Sequence, residues 1–102
     1  MSTELDEYKK LLKTNEKVIV DFSAEWCGPC KRIAPTFKSL ADKYPEIVFV
    51  KVDVDDSAEI AEFETISAMP TFKAYHKGKV FKTLTGGSEE KLTLLVTDLS
   101  KV

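Results

Sequence analysis

Leu5, Tyr8, Leu11 and Leu12 recur at intervals of three and four among charged residues. This predicts a helix over roughly residues 3–14 with one apolar face, ending near Thr14-Asn15. The pattern then changes. Lys17-Val18-Ile19-Val20-Asp21-Phe22 is continuously apolar and β-branched apart from one acid, as expected of a strand covered on both faces. From Pro29 to about Lys43 helical spacing returns with Ile33, Phe37, Leu40, Ala41 and Tyr44; Pro29 suits a first-turn position, and Pro35 is expected to kink the helix. Ile47-Val48-Phe49-Val50-Lys51-Val52 reads as a second buried strand. Two such strands joined through a helix make a right-handed βαβ unit with the strands parallel.

Asp56-Ser57-Ala58-Glu59 has the form of a capping box, opening a short helix that carries Ile60 and Phe63 inward. After Pro70, the runs Thr71-Phe72-Lys73-Ala74-Tyr75 and Val80-Phe81-Lys82-Thr83-Leu84 flank Lys77-Gly78-Lys79, a β-hairpin pattern with His76 at its turn end as a solvated residue. Gly86-Gly87 ends the second run. Ser88 is placed to cap a last helix, with Glu89 and Glu90 complementing its dipole and Leu92, Leu95, Val96 and Leu99 forming its buried stripe. The order is therefore helix, β-α-β, helix, β-β-α. No internal repeat is visible, and an α/β fold in one domain over residues 1–102 is expected.

Composition supports this without changing it. With 102 residues, 43% apolar and 31% charged, the chain has the make-up of a globular domain that needs neither disulfide staples nor a structural metal. The net charge of −2 is spread along an interleaved pattern, so no basic block exists to neutralise a phosphate backbone and nucleic acid is not an expected partner. The first residues, Met1-Ser2-Thr3-Glu4-Leu5-Asp6-Glu7, lack a basic then apolar leader, and no run approaches membrane-spanning length. A cytoplasmic, monomeric protein is expected, although a processed organellar or secreted form would look similar.

The chemistry sits in Trp26-Cys27-Gly28-Pro29-Cys30. These are the only two cysteines, and a loop so short scarcely restricts the unfolded chain, so the pair is there for reactivity. A strand, a short loop and then Cys-x-x-Cys opening a helix puts Cys27 at the helix N-terminus, where free N–H groups and the dipole favour thiolate; Lys31 and Arg32 add positive potential. Cys30, one turn on, faces the same way at a separation a disulfide allows. Cys27 is then the attacking thiol and Cys30, beneath Pro29 and beside Ile33, the less accessible resolving thiol. A zinc site would need four ligands, and beyond the cysteines only His76 is on offer. A cluster shared between two chains, or spectator thiols, are the other readings.

The segment Val20-Asp21-Phe22-Ser23-Ala24-Glu25-Trp26-Cys27-Gly28-Pro29-Cys30-Lys31 resembles the active-site segment of the thioredoxin family. The resemblance extends to Pro35 as a kink proline, Lys51-Val52-Asp53 as a central strand, Ala68-Met69-Pro70-Thr71-Phe72 as a cis-proline loop, and Gly86 as a glycine bordering the substrate groove. It covers roughly residues 16–100. It implies a thioredoxin fold: a central mixed sheet of four strands flanked by four helices. The family's usual first edge strand is reduced or absent, because Met1-Ser2-Thr3 leaves little room for it. Ser23 stands where many bacterial members have a second tryptophan.

The activity implied is protein-disulfide reduction by a redox-active Cys27–Cys30 pair. Disulfide-containing client proteins are the substrates, and an NADPH-dependent thioredoxin reductase is the electron donor. No organic cofactor or metal is required, since the cysteines carry the two electrons. Asp21 is expected to be a buried proton-transfer acid with a raised pKa, and Lys51 its electrostatic neighbour. Trp26, Gly28, Pro29, Met69, Pro70 and Gly86 are expected to bind the client. The alternatives are a disulfide oxidase or isomerase, and a non-enzymatic binding module of the same fold; Gly-Pro between the cysteines favours the reductase.

Overall fold

A computed structural model describes residues 3–102. The elements are α1 (Glu4–Thr14), β1 (Lys17–Ser23), α2 (Gly28–Lys43), β2 (Val48–Asp53), α3 (Ala58–Phe63), β3 (Thr71–His76), β4 (Lys79–Thr85) and α4 (Glu89–Ser100). The four strands form one mixed sheet in the order β2-β1-β3-β4, with β1 parallel to β2 and antiparallel to β3, and β3 antiparallel to β4. Met1 and Ser2, and with them any stub of a first edge strand, lie outside the described residues.

Period-two alternation on β1 divides the core. Val18, Val20 and Phe22 pack with Tyr8 and Leu12 of α1 and Ile60 of α3, whereas Ile19 packs with Ile33, Phe37 and Leu40 of α2 and Leu92, Leu95, Val96 and Leu99 of α4. Asp21 and Ser23 follow Ile19 in this alternation and so face the α2 side. All seven of these β1 residues except Lys17 are buried, as a central strand requires.

The termini of the helices follow the chain's polar punctuation. Thr3 and Asp6 form a reciprocal capping box at the start of α1, and Ser88 Oγ accepts from Lys91 N–H at 3.2 Å at the start of α4. The hairpin turns through Lys77 (φ 53°) and Gly78 (φ 82°), two left-handed residues in succession, the geometry a two-residue hairpin loop needs.

Four expectations are corrected. β2 is an edge strand of this sheet, half-buried at Val48, Phe49 and Val50 with Lys51 exposed, because among the described residues only β1 pairs with it; Ile47 is buried but precedes the strand. The capping box at α3 does not form: Ser57 makes no side-chain cap bond and its hydroxyl donates to Glu4 instead. Phe63 is 48% exposed, with the Lys9 ammonium 4.5 Å above its ring, because α3 ends there and presents only Ile60 and Ala61 inward. His76 is half-buried at the end of β3 rather than solvated, with Nε2 3.8 Å from Glu16 Oε1.

Candidate active site

β1 ends at Ser23, and Ala24, Glu25 and Trp26 carry the chain to α2. Cys27 is the N-cap residue, extended at φ −90° and ψ 111°, and its sulfur accepts from the Cys30 N–H at 3.2 Å. Pro29 lies in the first turn, where its missing N–H leaves nothing unpaired. Cys27 and Cys30 are joined by a disulfide with Cα atoms 5.3 Å apart. Both cysteines are 5% exposed, so the expected difference in access is not present in this oxidised state; position distinguishes them, Cys27 at the helix end and Cys30 inside the first turn.

Three loops meet at the pair. Ala24, Cys27 and Cys30 form a small apolar cluster with Met69 and Val54 packed against it. Met69-Pro70 is a cis peptide with Pro70 fully buried, and the Met69 side chain packs against the cysteines. Gly86 N–H donates to Pro70 O at 2.9 Å, fastening the loop after β4 to the cis-proline loop. Gly87 approaches Pro29 so closely that an added Cβ would stand 3.3 Å from the proline Cβ. Trp26, Gly28 and Pro29 are exposed; Trp26 is 67% exposed and its indole N–H donates to Asp55 Oδ2 at 2.9 Å. Trp26 is therefore surface, not core.

Asp21 is 2% exposed and, among the described residues, its Oδ1 has no hydrogen-bond partner. Burial pushes its pKa up from 3.8 to about 6, against a smaller downward pull from the Lys51 ammonium. The two residues are paired in register across β1 and β2, but they do not form an ion pair. Lys51 and Cys30 line one cavity of about 230 Å³ together with Ser23, Lys31 and Asp53. Asp21 is not in that lining; it connects to it through its strand neighbours Ser23 and Lys51.

Sequence reasoning missed a second polar cluster. Tyr8 of α1 and Tyr75 of β3 both donate to Oε2 of Glu64, the residue that closes α3, and Lys73 Nζ lies 3.5 Å from Oε1 and donates to the Glu64 carbonyl at 2.8 Å. Burial raises both phenol pKa values, and the bonds to Glu64 raise them further. No local signal marks these residues, which come from three separate segments. Among the described residues no group of His, Cys, Asp and Glu is arranged to hold a metal ion, and no helix is long and apolar enough to cross a membrane.

Known proteins with the same features place the chain. The Thioredoxin family model matches residues 1–98. Thioredoxin 1 of Plasmodium falciparum is 48% identical over 94 residues, covering 92% of this chain and 90% of its own length. Rat thioredoxin is 48% identical over 83 residues, covering 81% and 79%. The crystal structure of oxidised mitochondrial thioredoxin 3 from Saccharomyces cerevisiae superposes with a TM-score of 0.89 at 40% identity, covering 93% of this chain and 90% of that one.

Proposed function

The chain belongs to the thioredoxin family and is a thiol-disulfide oxidoreductase that reduces protein disulfides through Cys27 and Cys30; from that premise we propose how its residues divide the work. Cys27 is the nucleophile. When reduced, its sulfur sits at the positive end of α2 with the Cys30 N–H aimed at it, which favours thiolate. The thiolate attacks one sulfur of a client disulfide, forming a mixed disulfide, and the other client sulfur leaves as thiolate and takes a proton. Cys30 then loses its proton and attacks Cys27, closing the Cys27–Cys30 disulfide and releasing the second client thiol. Two electrons pass to the client.

Asp21 is the acceptor for the Cys30 proton. With its pKa raised to about 6 it is mostly ionised at neutral pH yet more basic than an ordinary aspartate, which suits a general base. Lys51, lining the same cavity as Cys30, moderates that shift. Trp26, Gly28, Pro29, Met69 and Gly86 form the client surface, with buried Pro70 fixing the bend that presents Met69; the exposure of Trp26, Gly28 and Pro29 supports that reading. The protein acts as a monomeric single domain in the cytoplasm, recharged by an NADPH-dependent thioredoxin reductase.

The observation that carries the assignment is Cys27 as the N-cap of α2. Cys30→Ser is expected to accumulate mixed disulfides with client proteins, and Cys27→Ser is not; the parent is expected to turn over a protein disulfide with NADPH and a thioredoxin reductase. Equal trapping by both variants refutes the division of roles, and turnover with glutathione alone replaces the proposed donor.

A further inference from the structure

Arg32 lies in the first turn and a half of α2, exposed to solvent, and its Nη1 is 3.3 Å from the place a Cβ on Gly28 would occupy. A permanent positive charge is thus held against the residue that follows Cys27. Among the described residues Arg32 forms no ion pair. Glu89 shares with it and Gly87 an open cleft of about 550 Å³, but Glu89 Oε1 accepts a hydrogen bond from Thr36 Oγ1 at 2.5 Å. The cleft adjoins the cysteine loop because Gly87 packs on Pro29. On the Trp26 side the charge is reversed: Glu25, Asp53, Asp55 and Asp56 line a second cleft with Trp26 and Lys31.

An extended client segment advances about 3.3 Å per residue, so a client that runs from Cys27 past Pro29 toward Gly87 brings the neighbours of its reacting cysteine over the Arg32 cleft. A guanidinium offers a fixed fork of donors matched to a carboxylate, and contact with a client removes water from around it. We infer that Arg32 is a specificity-determining residue for the reductase reaction, favouring client segments that carry an Asp or Glu beside the attacked cysteine. The inference rests on the reductase reading above and adds to it a substrate class.

The test uses pre-reduced protein and short peptides whose single cysteine is in disulfide linkage to a chromophoric thiol, with Glu, Gln or Lys immediately before or after the cysteine. Second-order rate constants are compared within each variant, so that any change in the reactivity of Cys27 cancels from the ratio. At low salt the parent should prefer Glu over Lys by about fivefold on one side of the cysteine, a magnitude set by one partly exposed charge pair. Arg32→Gln should bring the ratio close to one, Arg32→Glu should invert it, and Glu89→Gln should increase it. A parent that shows no preference or prefers Lys overturns the inference, as does a preference that survives Arg32→Gln. A parent that reduces none of the peptides refutes the reductase reading itself, which separates the two failures.

Discussion

At Asp21 a carboxyl group only 2% exposed leaves Oδ1 without a donor among the described residues, and the cost of ionising it there sets both its chemistry and its effect on stability. Well below pH 3.8 the folded and unfolded chains both hold the proton and the penalty is absent. As pH rises, the unfolded chain ionises first, near 3.8, while the folded one holds its proton until about 6, so folding is progressively disfavoured across that window and the loss levels off above it. The difference corresponds to about 3 kcal/mol. Asp21→Asn should therefore be more stable than the parent by about that amount at pH 8 and by little at pH 4, and slower in disulfide exchange. Denaturant melts of the two oxidised proteins at both pH values, with a reductase assay, measure this; a variant destabilised at pH 8 would mean that the carboxylate is well solvated by the fold.

The short helix α3 shows how an element end can work against its own sequence. Its chain leaves through Thr65 at φ 55°, a left-handed position that a β-branched residue adopts only under strain. The exit is held by Lys73 Nζ and Thr65 Oγ1, both donating to the Glu64 carbonyl, at 2.8 Å and 2.6 Å. Glycine removes the steric penalty and loses one part-buried hydroxyl bond to a carbonyl that keeps the Lys73 ammonium, so Thr65→Gly should stabilise the protein by about 1 kcal/mol. A thermal melt showing destabilisation would place the hydroxyl bond above the backbone strain. The hairpin turn differs because glycine already occupies its second left-handed position, at Gly78. Lys-Gly was therefore readable as a turn from the sequence, whereas Thr65 was not.

Across the whole molecule, α1, α3 and β3 are pinned together by Tyr8, Glu64, Tyr75 and Lys73 on the face of the sheet opposite α2. Removing the shared acceptor strands two buried phenols, whereas removing one phenol leaves the carboxylate with the other and with Lys73. Glu64→Ala should therefore cost about 3 kcal/mol, and Tyr8→Phe or Tyr75→Phe about 1 kcal/mol each. Disulfide exchange should change little in any of the three, because Cys27 and Cys30 lie with α2 across the sheet. Urea melts and the reductase assay together check this; equal losses for all three variants would mean that Glu64 is not the hub.

The order of elements, the parallel pairing of the first two strands, the hairpin, and Cys27 at a helix entrance were legible in the sequence. Each depends on local periodicity, on a turn residue or on residues three apart, and the family resemblance added the cis-proline loop that faces them. Tertiary structure alone decided the rest. Val48–Asp53 reads as a buried strand because it is apolar, but its place at the edge depends on which strands lie beside it. Phe63 has the hydropathy of a core residue, and only the length and placement of α3 leave it exposed. The Tyr8–Glu64–Tyr75 cluster and the packing of Gly87 on Pro29 join groups whose partners no local pattern names. Periodicity constrains which way a side chain faces along its own element; its neighbours across the core are set only when the elements pack.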